Sequence, residues 1–402
     1  MKRSPTAHLP LVYLAFVSIG LPDTVLGIVW PSLRDAFDLP QPLLALPLAV
    51  NAGFYFLSGL LAGRLIAAFR IGGLLAWSTL LVALGVLGLA ASPAFALFVA
   101  CGVLVGFGSG AVDAALNTWV ASHLAARHMS WLHAAYSLGA ALGPALMTGL
   151  LARGASWRLG YLAIAAALAA LGVAFLRARG SWGAASAAEV VIDSPGGHGP
   201  IGAPPDPSFR GALRNRTVWL QVAIFFLYSG VEVTAGQWSY TLLLESRGLP
   251  GAAAGGAVTL YWAGLLAGRI LSGFVVERLG PARQLRRATA TAVLACVLFA
   301  LPGLPAAVTT LALAGISFAL APIYPGLMAE TPRRIGAAAH HAVGFQVSAA
   351  TAGIAILPAI AGLLGTALGL DAIGWLVVGE AVLLFALHER LLARTEGGVG
   401  RP

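Results

Sequence analysis

Four carboxylates stand inside long apolar stretches of this chain: Asp23, Asp113, Glu232 and Glu380. His133 joins them as an ionisable ring among apolar neighbours. A charge at bilayer depth costs roughly 2.5–3.5 kcal/mol even on lenient insertion scales, so each group needs a partner or a purpose. Two kinds of chemistry suit them. Removal from water penalises an ionised carboxyl, so a buried one can hold a proton and release it when water or a ligand arrives. Carboxylates also accept hydrogen bonds, and carboxamides both accept and donate, which matches what the hydroxyls of a polyol need.

Spacing groups these residues further. Asp113 and Asn117 are four apart and share a helical face. Gly102, Gly106 and Gly110 lead up to them on nearly that face, where small residues let a neighbouring backbone come close. Asp23 follows Pro22, a helix-disfavouring residue. His133 and Tyr136 are three apart, so both rings can face one cavity, and an imidazole titrates near neutral pH. Glu232 lies between Gly230 and Gly236, which permit a helix break at membrane depth. Gln237 and Trp238 follow it, and Trp119, Trp238 and Trp262 offer apolar ring faces to the C–H face of a sugar. Tyr324 and Gln346 add hydrogen-bonding groups.

Plainer readings stand beside these. An Asp–Asn pair can staple two helices, Asp23 can bond locally, and His133 is close enough to its helix start to be interfacial. Tryptophans also serve as interface anchors. Glu380, in the last apolar run, is expected to be paired or near the surface. His340 and His341 are adjacent, so their rings diverge, and no metal site is expected. Cys101 and Cys296 fall in separate apolar runs, which gives no support for a disulfide framework.

The elements that must hold these groups are apolar runs. The chain is 59% hydrophobic and 10% charged, against roughly 25% charged for an ordinary soluble domain. About 20 helical residues cross the hydrocarbon layer. That ruler predicts twelve spans, near 9–32, 43–66, 71–91, 94–122, 128–152, 157–178, 216–246, 251–276, 284–301, 305–329, 340–366 and 371–392. Residues 180–209 are rich in Gly, Pro, Ala and Ser and read as flexible connection. The expected organisation is a first six-helix half over 1–179, a linker over 180–215 and a second half over 216–402.

The net charge of +9 sits in short loops between the apolar runs rather than in a nucleic-acid-binding patch. Nineteen of the 24 lysines and arginines fall on one set of alternating loops. The positive-inside rule therefore places both termini and the linker in the cytoplasm, which requires an even number of spans. No phosphate-cradling Gly-Lys-Ser/Thr loop or metal-ligand spacing is present, so neither an enzyme nor a cofactor is expected.

A faint internal echo suggests duplication. Gly59-Leu-Leu-Ala-Gly-Arg64 recurs letter for letter as Gly264-Leu-Leu-Ala-Gly-Arg269, followed by Arg70-Ile-Gly72 and Arg278-Leu-Gly280 respectively. Repeated halves are how many secondary transporters frame a mid-membrane site.

With six plus six helices and a long central loop, the chain resembles the major facilitator superfamily. Gly273, Glu277, Arg278, Gly280 and Arg283 are similar to its cytoplasmic gating-loop signature. The first-half copy of that loop is degraded, with Phe69 or Gly63 where the acidic residue would stand. Within the superfamily the chain looks most like the fucose/galactose/glucose–proton symporters. That likeness rests on Gly20-Leu-Pro-Asp23, Gly27 and Trp30-Pro31 in helix 1, and on Gly108-Ser-Gly110-Ala-Val-Asp113 through Asn117-Thr-Trp119 in helix 4. It continues with Leu132-His133 through Tyr136 and Gly143-Pro144 in helix 5, Gly230-Val-Glu232 in helix 7 and Ala321-Pro-Ile-Tyr324-Pro325 in helix 10. In the fucose permease the helix 4 acid is a glutamate, one methylene longer than Asp113.

The resemblance implies a monomeric transporter in a bacterial inner membrane, carrying a monosaccharide with protons by alternating access. Asp23 and Asp113 would couple the proton. Asn117, Trp119, His133, Tyr136, Glu232, Gln237, Trp238, Tyr324 and Gln346 would contact the solute. The rivals are an exporter of drugs or metabolites with the same fold and, further off, a membrane sensor that transports nothing. A reporter fused after Leu392 should be active only inside the cell; activity confined to the outside would overturn the twelve-span topology.

Overall fold

The computed structural model describes residues 8–123, 127–182, 214–335 and 339–396, and every regular element among them is a helix. In chain order, α1 runs in two segments, Leu9–Asp23 and Leu26–Phe37. Then come α2 (Ala45–Leu60), α3 (Ala62–Ala91), α4 (Phe95–His123), α5 (Arg127–Leu151) and α6 (Trp157–Ala178). The second half holds α7 (Arg216–Thr241), α8 (Gly251–Leu279) and α9 (Pro281–Ala300). It continues with α10 in two segments (Ala306–Leu320 and Ile323–Ile335), α11 (Ala339–Leu368) and α12 (Asp371–Glu396).

Eleven of these spans are long and apolar enough to cross a membrane. The twelfth, α9, gathers Arg283, Arg286 and Arg287 near its start and is apolar beyond them. The expected fold therefore holds: an all-α membrane protein of twelve helices in two six-helix halves. Residues 183–213, most of the expected linker, lie outside the described residues.

Proline explains both two-segment helices. Pro22 precedes the interruption of α1 at Thr24–Val25, and Pro322 sits in that of α10. A proline ring clashes with the preceding turn and supplies no amide hydrogen. Thr24 Oγ1 donates to the Ala140 carbonyl at 2.7 Å, so the interruption is also tied to α5. By contrast α7 is unbroken through Glu232, which corrects the expected break there. The two glycines are used for close approach instead: the Leu357 side chain lies where a Gly230 side chain would stand, and Trp262 fills the space at Gly236.

Within the first half α1 packs on α5, α2 on α4, and α3 on α4 and α6. Within the second α7 packs on α11 and α12, α8 on α10, and α9 on α10 and α12. The halves meet along three seams: the later segment of α1 with α7, α2 with α11, and α5 with α8. Among the described residues α4 and α10 form no such seam with each other. The end of the bundle away from the termini is shut. There Arg34 pairs with Glu245 at 3.0 Å, Gln41 Nε2 donates to Glu245 at 3.1 Å, and Trp30 donates to Gln41 at 2.9 Å. Beneath them the backbone of Gln237 occupies the space over Gly27, so α1 and α7 touch directly.

Backbone geometry revises the internal echo. Gly280 joins α8 to α9 with φ +75° and ψ 157°, and Arg70 turns the chain inside α3 with φ +58° and ψ 159°. These two residues are the equivalent points of the halves. Three residues before them stand Glu277 and Ala67, so alanine takes the acidic position in the first copy, not Phe69 or Gly63. Arg64 then precedes its turn by six residues and Arg269 by eleven, so the identical hexamers are not structural equivalents. Glycine adopts this conformation freely, whereas an arginine there is strained by about 1–3 kcal/mol.

The glycine stripe of α4 does what its spacing predicts. Gly106 lies against the backbone of Asn51 and Gly110 against that of Tyr55, both in α2. Gly53, on the same helix, has nothing near the place of a side chain. Gly106→Ala should therefore lower stability by about 1–3 kcal/mol through overpacking. Gly53→Ala should be neutral or gain up to about 1 kcal/mol from helix propensity. Thermal unfolding of the purified variants checks this, and the reverse order would contradict backbone contact between α2 and α4.

Candidate functional site

The tight α2–α4 seam delivers two residues to Asp113 that sequence reasoning missed. Asn51 and Tyr55 are four apart on α2 and reach the site because glycines replace side chains between the helices. Asp113 lies beside the Tyr55 phenol and Asn117, both near enough to act on its carboxyl. The α1–α5 seam places the second acid in the same way. Gly139 meets the backbone of Val17, and Gly20 meets the backbone of Tyr136 and Ala140. Across that contact the Tyr136 hydroxyl donates to Asp23 at 3.2 Å, and Asn51 lies near enough to act on the same carboxyl. Asp23 and Asp113 are near enough that their charges act on each other. Two acids thus share a cradle of phenols and carboxamides contributed by α1, α2, α4 and α5.

The second half contributes a cation. Arg269 in α8 donates to Ser137 Oγ at 2.8 Å and to the His133 carbonyl at 3.3 Å, so it bonds across the α5–α8 seam. Tyr228 lies beside it, and the Tyr228 hydroxyl donates to Glu232. Tyr261 donates to the backbone carbonyl of Glu232 at 2.7 Å. Tyr324 packs edge-on against Phe225 and beside Tyr228, within electrostatic reach of Asp113, Glu232 and Arg269. These contacts place acids from one half and the Arg269–Tyr228–Glu232 chain from the other around one space. In the sequence Arg269 appears only as the end of the second hexamer. Its depth in an apolar run was the signal that could have found it.

Exposure separates the predicted residues. Asp23, Asp113, Asn117, His133, Tyr136, Glu232 and Tyr324 are half-buried, as are Asn51, Tyr55 and Arg269. These groups keep part of their surface open around shared polar contacts at membrane depth. Asn117 Oδ1, on the same face as Asp113, is itself buried and has no hydrogen-bond partner among the described residues. The His133 ring stands edge-on to Phe16 at 5.7 Å, facing α1.

Four other predicted residues sit elsewhere. Trp119 is sealed against Trp182 and His8 at the end of the first half that carries the N-terminus. Trp238 is fully buried, its indole donating to the Pro358 carbonyl at 2.9 Å in the α7–α11 seam. Gln346 is sealed in a bond network with Gln221 and Thr331 that ties α11, α7 and α10 together. Gln237 is buried and donates to the backbone carbonyl of Asp23 at 3.1 Å, so it holds the α1–α7 seam. Each has a packing or bonding role that explains it without a ligand. Trp262, for which the sequence leaves both a sugar-facing ring and an interface anchor open, is buried against Tyr261 and Gly236.

Glu380 departs from expectation as well. It is 5% exposed on α12, and both carboxyl oxygens lack a hydrogen-bond partner among the described residues, so it is neither near the surface nor paired there. Glu277, Arg278 and Arg283 of the α8–α9 loop are exposed and make no ion pair among the described residues. Gln284 ties that loop back through a 2.9 Å bond to the Ser272 carbonyl. The side chains of His340 and His341 lie outside the described residues.

Twelve helices in two halves around a mid-membrane polar cluster define a secondary-transporter architecture. The family model of the Major Facilitator Superfamily matches residues 12–341, and the chain belongs to that superfamily. It is 24% identical over 409 residues to Bypass of stop codon protein 6 of Saccharomyces cerevisiae, covering 94% of this chain and 82% of the yeast protein. The fold is similar to that of the E. coli fucose:proton symporter, with a TM-score of 0.62, 17% identity, and 97% and 99% of the two chains covered. It also resembles a bacterial homologue of the human lysosomal transporter Spinster in an inward-facing, unoccupied conformation (TM-score 0.75, 14% identity, 98% of each chain). A nucleoside transporter matches at TM-score 0.74 and 13% identity, over 95% of this chain and 99% of the other.

Proposed function

We propose that this chain is a proton-coupled symporter of a monosaccharide in a bacterial inner membrane, with both termini cytoplasmic. The observation that carries the reading is the pair Asp23 and Asp113, held at membrane depth by neutral phenols and carboxamides. Neither forms a salt bridge among the described residues. A carboxyl in such surroundings is stabilised by a bound proton rather than by a counter-charge. The carboxyls of Asp23 and Asp113, with Asn117, Tyr55, Tyr136 and Tyr324 nearby, offer a solute bearing hydroxyls both donors and acceptors. The fucose:proton symporter and the nucleoside transporter of similar fold are named for solutes rich in hydroxyls.

Alternating access follows from where the halves touch. With the termini inside, the Arg34–Glu245 closure lies on the outer face, and this conformation opens inward. Arg269 would then act as the hinge charge: it bonds α5 of one half while Tyr228 links it to Glu232 of the other. A proton or solute arriving among these groups changes which bonds are worth keeping across the seam. No covalent step is required, and the gradient supplies the work.

The test uses Asp113→Asn and Asp23→Asn in proteoliposomes. Each variant keeps shape and hydrogen bonding but removes a proton site. An imposed gradient of about one pH unit stores a tenfold proton ratio, so wild-type protein should accumulate its sugar up to about tenfold. The variants should fall to about onefold, and at least one should still exchange sugar for sugar, because exchange returns the carrier loaded and needs no net proton release. Gradient-driven uptake at wild-type rates in both variants would overturn the assignment.

A further inference from the structure

A groove of about 550 Å³ opens on the outside of the second half, where α7 begins and α12 ends. Its floor on α7 is Arg216, Trp219, Leu220 and Ala223, and its wall on α12 is Arg390 and Arg394. The α7 residues are spaced by three, one and three, so they form a single helical stripe about 10 Å long. Because α7 starts and α12 ends at this end of the bundle, Arg216 and Arg394 stand nearest water. Arg390 lies about one turn deeper, and Leu220 and Ala223 run on toward the hydrocarbon. Three arginines therefore mark the head of the groove and small apolar residues its tail.

No carboxylate pairs with this charge among the described residues. None of the six lining residues is acidic, and none of the three arginines makes an ion pair among the described residues. Glu389, next to Arg390 in sequence, is already engaged with Arg286. Trp219 is half exposed and stacks on Phe345 of α11, a placement suited to the level of lipid head groups. Guanidinium groups bind phosphate oxygens through paired donors, with more geometric selectivity than a surface charge alone.

We infer that this groove holds one anionic phospholipid, its phosphate among Arg216, Arg390 and Arg394 and an acyl chain along Leu220 and Ala223. The apolar tail commits the site to a lipid rather than a soluble anion, because a free phosphate gains nothing from Leu220 and Ala223. A lipid bound there straps the start of α7 to the end of α12. Since α7 also carries Tyr228 and Glu232, its occupancy bears on the helix that reaches the central cavity.

The experiment compares dioleoyl-phosphatidylglycerol with dioleoyl-phosphatidylcholine on the purified full chain in detergent, by native mass spectrometry and by thermal shift. Basic residues at a membrane surface attract anionic lipid by about tenfold or somewhat less each, so wild-type protein should prefer phosphatidylglycerol by between tenfold and a hundredfold or more. Arg216→Gln with Arg390→Gln and Arg394→Gln should abolish the preference, and Arg390→Gln alone should lower it several-fold. Replacing the same three arginines by lysine should keep most of it. Arg64→Gln with Arg177→Gln and Arg179→Gln removes equal charge from the same end of the other half and should leave the preference intact. An unchanged preference in the first variant would overturn the site, as would an equal loss in the control, which would mean bulk surface charge. Displacement of the lipid by millimolar inorganic phosphate would show a phosphate site that does not read acyl chains, and would also overturn it.

Discussion

Two carboxyl groups placed where water is scarce set the terms for the rest of this protein. Asp23 and Asp113 are each supported by a phenol and a carboxamide, not by a cation. An ion in that setting is costly unless it is paired, while the neutral acid is accommodated by the bonds already present. The glycine seams follow from this need. Side chains between α2 and α4, or between α1 and α5, would hold Asn51, Tyr55 and Tyr136 too far away to serve. Close backbone packing in this bundle thus supports its fold and its chemistry together.

The positive charge is kept on the other half. Arg269 reaches over the α5–α8 seam to Ser137 and the His133 carbonyl, and Tyr228 and Glu232 stand behind it. A bond that crosses between rigid halves is sensitive to their relative position, whereas bonds within a half are not. The closure at the end away from the termini uses the same device at a wetter level, where Arg34 meets Glu245. The seam between α1 and α7 is sealed below it by Gly27 and by the buried amide of Gln237. The two halves are therefore joined by few charged contacts and by close glycine packing, an arrangement that can open without unfolding either half.

Much of this was legible in the residues and some was not, for physical reasons. Apolar length and basic loops revealed twelve spans, because lipid demands both. The Gly102, Gly106, Gly110 stripe pointed to a close neighbour but could not name α2, since a stripe records a contact and not its partner. Asn51 and Tyr55 were invisible for the same cause. Glu232 between two glycines suggested a broken helix, yet Leu357 and Trp262 fill the gaps and α7 stays whole. Trp119, Trp238 and Gln346 were chosen by residue type, which cannot distinguish a cavity wall from a sealed core. The hexamer repeat misled most. Its two arginines share a local sequence, but Arg64 is exposed whereas Arg269 is half-buried at the heart of the cluster.

The central claim is that sugar and proton move together through groups that include Asp23 and Asp113. It is tested most directly by recording pH in a lightly buffered suspension of proteoliposomes while sugars are added one at a time, with no gradient imposed. The account predicts that at least one monosaccharide makes the external medium more alkaline as it enters. The alkaline shift should be absent when both acids are replaced by asparagine. Entry of a sugar at an undiminished rate with no movement of protons would contradict it.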